Sequence, residues 1–231
     1  MAPLPAVHPL QPRFAQAITG ILSLEAVVFD APAAIAVALG LVLLSLAGPR
    51  FSPVAWLFRK VAPPPSDLEP APPVRFSQAL AAVFLAVALA LLLTGFGVAG
   101  WIVSGLVAAV ALVSAITGFC VGCEIYRLAM SRRAPGDGDL RGDLGLSGGG
   151  PWLVVLTAPG CARCEPVALE TERAAEGREV VRVSLAEHPR AASLPVRSVP
   201  AVIAVGADGR LREVRAGRLG SPEIAQVIAA V

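Results

Sequence analysis

Two short motifs, Cys120-Val121-Gly122-Cys123 and Cys161-Ala162-Arg163-Cys164, hold every cysteine in the chain. Cysteines two residues apart support two kinds of chemistry. Their sulfurs open and close a disulfide by thiolate attack, or they supply half of a tetrahedral metal site. A secreted disulfide framework scatters its cysteines through loops, and this chain does not. The first pair closes a long apolar run and the second opens a small, more polar region. That placement raises the hypothesis of thiol chemistry passed between a membrane edge and a soluble domain.

Composition frames the elements that must carry these pairs. Hydrophobic residues make up 55% of the 231 residues, with uninterrupted apolar runs, so a membrane protein with a soluble part is expected. The formal net charge of +2 is too small to suggest a nucleic-acid partner, and Lys60 is the only lysine. Met1 to Arg13 is Pro-rich and lacks the basic start and small-residue cleavage site of a signal peptide, so the first apolar run is expected to be retained.

Four apolar runs, 14–29, 32–47, 76–96 and 101–121, read as four transmembrane helices of an integral membrane domain over 1–130. A helix needs about 20 residues to cross about 30 Å of hydrocarbon, so the last two have ample length and the first two are short. Arg13, Arg50, Arg59, Lys60, Arg75, Arg127, Arg132 and Arg133 all fall on one side of this arrangement, whereas the hairpin tips near Asp30 and Gly97 carry no basic residue. Basic short loops stay in the cytoplasm. Both termini, the region after the fourth helix and both cysteine pairs are therefore expected on the cytoplasmic face of a bacterial inner membrane.

The helices also repeat. Arg13-Phe14-Ala15-Gln16-Ala17 and Arg75-Phe76-Ser77-Gln78-Ala79 each open a helical hairpin with an Arg at the interface and a Gln one turn inside. The first hairpin ends in the aromatic and basic segment Phe51 to Lys60, suited to lie along the interface, where the second ends in the cysteine pair. Glu25 stands near the outer end of its run, and Glu124, beside the pair, is a candidate proton acceptor.

After the fourth helix, 131–150 is rich in Gly, Asp and Arg and reads as a flexible linker. From 151 to 231 the pattern alternates. Trp152 to Thr157 is a buried strand, Cys161 to Ala175 a helix and Glu179 to Ser184 a second strand, which makes a parallel β-α-β unit. Ala201 to Val205 and Leu211 to Arg215 flank the Asp208-Gly209 turn of a hairpin, and Ser221 is expected to cap a last helix that begins with Pro222.

The stretch Thr157-Ala158-Pro159-Gly160 leading into Cys161-Ala162-Arg163-Cys164, together with Val196-Arg197-Ser198-Val199-Pro200, resembles the thioredoxin family. The resemblance implies a minimal thioredoxin-like α/β domain, a cis Val199–Pro200 peptide beside the cysteines, and a substrate edge at Val199 and Pro200. It implies Cys161 as attacking thiolate and Cys164 as resolving thiol. On physical grounds a helix start stabilises a thiolate, and Arg163 adds a tuning positive charge. The chain departs from the family at Gly160 and Ala162-Arg163, and has Val155 where the family keeps a buried Asp.

Gly118-Phe119-Cys120-Val121-Gly122-Cys123-Glu124 and the Arg-Phe helix openings resemble an uncharacterised bacterial family of small integral membrane domains, to which no activity attaches. The expected fold is thus a membrane α-helical bundle plus a thioredoxin-like domain. The expected function is a membrane-tethered thiol:disulfide oxidoreductase in which Cys161 and Cys164 exchange electrons with Cys120 and Cys123. A protein or small thiol is the expected substrate and the bilayer a partner. No cofactor beyond the disulfides is required, although a quinone is open as a third party. The competing reading is a non-enzymatic anchor with structural or metal-binding cysteines. His8 and His188 have no spacing that makes either a metal ligand.

Overall fold

The computed structural model of the chain describes residues 6–63, 65, 67–131, 138–188, 190–191, 194, 196–217 and 219–231. These fall into two units: Leu10–Pro63 with Pro73–Tyr126, and Met1–Pro9 with Pro64–Pro72 and Arg127–Val231. In chain order the first elements are β1 (Ala6–Val7), α1 (Leu10–Val28), α2 (Pro32–Ala47), α3 (Pro53–Val61), β2 (Glu69–Pro70), α4 (Ala71–Leu93), α5 (Gly97–Thr117) and α6 (Val121–Ser131).

Leu and Ala favour the helices of this unit, while α5, rich in Val, Ile and Gly, owes its helix to apolar packing rather than to propensity. α4 and α5, of 23 and 21 residues, are long and apolar enough to cross a membrane by length and composition, and α2 is a shorter apolar helix of 16 residues. Small residues let the helices approach closely. A Cβ at Gly20 of α1 would stand 2.8 Å from Leu112 Cγ of α5, and one at Gly100 would meet Leu92 at 2.6 Å. Ala26, Ile35, Ala38, Leu85 and Val107 fill the centre of this unit. The aromatic and basic segment after α2 folds as α3, with Val54, Ala55 and Phe58 buried and Lys60 lying 5.3 Å over the exposed Trp56 ring.

Several boundaries differ from the sequence expectation: α4 covers Ala71–Leu93 rather than 76–96 and α5 covers Gly97–Thr117 rather than 101–121, and the end of α5 changes the chemistry. The fourth apolar run does not end in the cysteine pair. α5 stops at Thr117, where Gly118 takes the left-handed conformation (φ 75°) and returns its N–H to Ser114 C=O. Glycine is favoured there because it has no Cβ penalty. The cysteines then open α6.

The second unit continues with α7 (Arg141–Leu144), β3 (Trp152–Thr157), α8 (Cys164–Ala174), β4 (Val180–Ser184), β5 (Ala201–Val205), β6 (Leu211–Ala216) and α9 (Ser221–Ile228). The mixed sheet has the order β4-β3-β5-β6. β3 and β4 run parallel on either side of α8, as the β-α-β pattern predicts, and β5 and β6 are antiparallel about Gly209 (φ 77°). Period-two alternation sends Leu153 and Val155 to the face covered by α8 and α9, and Trp152, Val154 and Leu156 to the other. Gly220, not Ser221, caps α9, because the Glu223 carboxylate accepts its N–H at 3.0 Å while Ser221 Oγ bonds Glu170.

The second face of β3 is covered by the short helix α7 and its flanks: Leu140, Leu144 and Leu146, each at most 8% exposed, with Trp152 Nε1 donating to Ser147 C=O at 3.1 Å. The segment expected to be a flexible linker over 131–150 therefore carries core side chains from Leu140 onward. Residues 132–137, including Arg132 and Arg133, lie outside the described residues. Leu68 joins the same core, as does the short β1–β2 pair through Ala6.

Candidate functional site

Cys161 and Cys164 are joined in a disulfide with a Cα–Cα distance of 5.5 Å. β3 delivers them: its last residue Thr157 is followed by Ala158, whose carbonyl accepts the Cys161 N–H at 3.3 Å. α8 starts at Cys164 rather than at Cys161, so Cys161 stands on the turn ahead of the helix. Cys161 is half-buried and Cys164 is 5% exposed. Arg163, the expected tuning charge, is half-buried at the N-cap position of α8.

The Val199–Pro200 peptide is cis, as the resemblance implied, and Val199 C=O lies 3.9 Å from Cys161 Sγ. A disulfide sulfur has no proton to donate, so this contact becomes a hydrogen bond only in the dithiol form. The structure thus brings Cys161, Cys164, Val199 and Pro200 together. It also adds Leu68, which exchanges both backbone hydrogen bonds with Val199. A lone leucine between proline-rich stretches gave no local signal for that long-range pairing.

Cys120 and Cys123 form a second disulfide, with a Cα–Cα distance of 5.2 Å. Cys120 occupies the position before α6, and its carbonyl accepts the Glu124 N–H at 3.0 Å. Its Sγ accepts the Cys123 N–H at 3.3 Å, the bond that an N-cap side chain makes. Ser77 Oγ lies 3.3 Å from the same sulfur and, with the cysteine oxidised, is the donor. Gly122 permits this approach, since a Cβ there would come within 2.9 Å of Ser77 Cα. Arg13 lies against Gly118, where any Cβ would collide with its guanidinium. Cys120 is half-buried and Cys123 is 5% exposed, the same asymmetry as in the other pair.

The repeat explains where this pair comes from structurally. Phe51-Ser52-Pro53-Val54-Ala55-Trp56-Leu57-Phe58-Arg59 at α3 matches Phe119-Cys120-Val121-Gly122-Cys123-Glu124-Ile125-Tyr126-Arg127 at α6, position for position. Ser52 Oγ caps α3 by accepting the Ala55 N–H at 3.1 Å, as Cys120 Sγ does for Cys123. Phe14 stacks on Phe58 and Phe76 on Tyr126, both with ring centroids 5.6 Å apart. The second copy thus keeps the cap and replaces Ser and Ala with two cysteines. Ser77 sits inside the repeated Arg-Phe-x-Gln opening, and that was the available signal for it.

Elsewhere, Glu25 is exposed on α1, and Glu124 lies in the first turn of α6. Among the described residues no group of three or more His, Cys, Asp or Glu side chains is placed to hold a metal. Outside the helices, Arg182 of β4 bonds Glu172 at 2.7 Å and Glu165 at 2.9 Å, both on α8. The Arg182 hydrogen bond holds the Glu172 carboxyl below its ordinary range.

A family model described as a domain of unknown function, DUF4395, matches residues 7–131, more than half of the chain. No curated protein and no solved structure matches it.

Proposed function

We propose that this chain, which belongs to the DUF4395 family, is a membrane-tethered thiol:disulfide oxidoreductase whose two cysteine pairs exchange electrons. The observation that carries the reading is the shared build of the pairs. Each closes a disulfide at the start of a helix, with a half-buried first sulfur and a second that is 5% exposed. An accessible thiolate stabilised by free helix N–H groups attacks; a buried neighbour resolves.

In the reaction the Cys161 thiolate attacks one sulfur of a partner disulfide, forming a mixed disulfide and releasing the other sulfur as a thiolate. The Cys164 thiolate then attacks Cys161, closing the Cys161–Cys164 bond and leaving the partner as a dithiol. Two electrons pass, and the Cys120–Cys123 pair is the proposed partner on one side of this exchange. The Val199 edge and Pro200 are the proposed contact for a protein or small thiol substrate. The strand order, the β-α-β unit and cis Pro200 beside Cys161 support reading this unit as thioredoxin-like.

The membrane placement rests on α4 and α5 and on outward apolar side chains, among them Leu93 at 75%, Val98 at 78% and Ile116 at 80% exposed. A water-soluble surface rarely exposes so many large apolar side chains along two long helices. We read α1, α2, α4 and α5 as four spans of a bacterial inner membrane, with both termini and both cysteine pairs cytoplasmic by the distribution of Arg and Lys.

The test is trapping. Full-length protein carrying Cys164→Ser should accumulate a mixed disulfide through Cys161 that disappears when Cys120 and Cys123 are also replaced. If no such species forms while purified protein carries stoichiometric zinc, the anchor reading replaces this one.

A further inference from the structure

The helical unit forms a half-open pocket of about 280 Å³, and the Cys120–Cys123 disulfide forms part of its wall. Most of the lining is apolar, with Val42, Val54, Phe84 and Val107 contributed by four different helices. Two amides interrupt it, Gln16 of α1 and Gln78 of α4, the residues that the repeat makes equivalent, together with the hydroxyls of Thr19, Ser45, Ser77 and Ser114. No Lys, Arg, Asp or Glu lines it among the described residues.

This chemistry selects a class of occupant. A charged dithiol or disulfide such as a glutathione-like peptide would leave its charges unpaired against an apolar wall. An acyl chain fits such a wall but offers nothing to two amides and cannot take electrons. The volume lies just below the roughly 300–1,000 Å³ of sites for drug-sized ligands, which suits one or two fused rings. Glutamine amides, each both donor and acceptor, suit ring carbonyl oxygens.

We propose that the pocket binds the ring of a lipid-soluble quinone and that this quinone oxidises the Cys120/Cys123 dithiol. The two thiols lose two protons and two electrons as the S–S bond forms. The quinone carbonyl oxygens gain both and become hydroxyls, giving a hydroquinone. Ser77, with its hydroxyl against Cys120 Sγ, stands where a thiol proton leaves. The proposal rests on the redox reading of this pair, and it names the acceptor that closes the electron balance of the exchange.

The test uses the full chain in lipid nanodiscs with Cys161→Ser and Cys164→Ser, so that only the membrane pair reacts. The protein is reduced, desalted without oxygen and mixed with decylubiquinone. One quinone reduced per Cys120–Cys123 disulfide formed, counted by thiol alkylation, is the expected result. Ala81→Phe, which fills the pocket beside Gln78, should slow the reaction at least tenfold, and Gln16→Leu with Gln78→Leu should raise the quinone concentration needed for half-maximal rate. Circular dichroism of Ala81→Phe in the same nanodiscs should match that of the parent chain, which reports that the helical unit folds. Quinone left unreduced by titratable Cys120 and Cys123 thiols overturns the proposal, and so does an unchanged rate in Ala81→Phe. Because Cys161 and Cys164 are absent from the quinone assay, its failure leaves exchange between the pairs standing, and failure of that exchange leaves a positive quinone result intact.

Discussion

Leu68 and Val199 exchange a reciprocal pair of backbone hydrogen bonds, Leu68 N–H to Val199 C=O at 3.0 Å and Val199 N–H to Leu68 C=O at 2.8 Å. Leu68 is 7% exposed, and the carbonyl it bonds is the one 3.9 Å from Cys161 Sγ. The chain thereby pairs its own connector with the only backbone edge that adjoins this sulfur among the described contacts. An extended substrate chain that used the Val199 edge would have to displace Leu68 first.

Leu68→Pro removes one of the two donors without touching either cysteine. The lost hydrogen bond is worth about 0.5–1.5 kcal/mol net and the loss of the buried Leu68 side chain adds to it, so the opened population should shift by at least roughly two- to tenfold. The rate at which reduced Cys161 attacks a disulfide-bearing peptide should rise by a similar factor in the variant. An unchanged or lower rate, with the fold intact by circular dichroism, would show that peptides reach Cys161 by another route.

The repeat predicts that capping and redox chemistry separate. Ser52→Ala removes the α3 cap and should cost about 1 kcal/mol of stability in detergent while leaving the count of oxidisable thiols unchanged. Cys120→Ser keeps an oxygen where the sulfur accepts the Cys123 N–H, so its stability should stay near that of the reduced wild-type protein while disulfide formation at this pair is lost. A Cys120→Ser variant that unfolds would make the pair a structural clasp.

Gly122→Ala tests the close approach that holds the same pair. The added methyl would meet Ser77 backbone at 2.9 Å, so α6 must shift. Overpacking of this kind costs about 1–3 kcal/mol. Thermal unfolding should move down, and alkylation of reduced Cys120 should speed up as Ser77 is displaced. If both stay at wild-type values, the helices are less tightly opposed than the geometry states.

Local signals carried much of this architecture. The run Trp152 to Thr157 and the Asp208-Gly209 turn each encode their element within a few residues and are found where the pattern puts them, whereas the two cysteine spacings give the disulfides but not the starts of α6 and α8. The start of α6 was obscured because Phe119 and Val121 extend the apolar run straight across Gly118, and hydropathy does not see a left-handed glycine. Leu68 and Leu140 were invisible for a different reason. Their neighbours are charged residues, Pro and Gly, and only tertiary contact with the second face of β3 tells an apolar residue in such company that it belongs to a core.

That face gives a direct measurement. Leu140→Ala and Leu144→Ala each remove a side chain at most 1% exposed, and core Leu→Ala changes cost about 2–5 kcal/mol. Either variant of the full chain should lower the unfolding midpoint of the second unit, read by hydrogen exchange in β3. A segment that merely tethered would show exchange in β3 no different from wild type.

The ion pairs of Arg182 add a pH dependence whose sign follows from Glu172. Its folded-state carboxyl is held below the ordinary value of 4.5, first by the Arg182 hydrogen bond, so the ionised form is favoured by folding. Its contribution is therefore present above that value and is lost as pH falls through the folded carboxyl range. Arg182→Gln should loosen α8 against β4 at neutral pH, read by hydrogen exchange, and the difference from wild type should shrink on acidification. Because Arg182 is 37% exposed and its partners more so, added salt should shrink it too. A difference that persists unchanged into acid would mean that Arg182 acts through packing of its aliphatic stem rather than through charge.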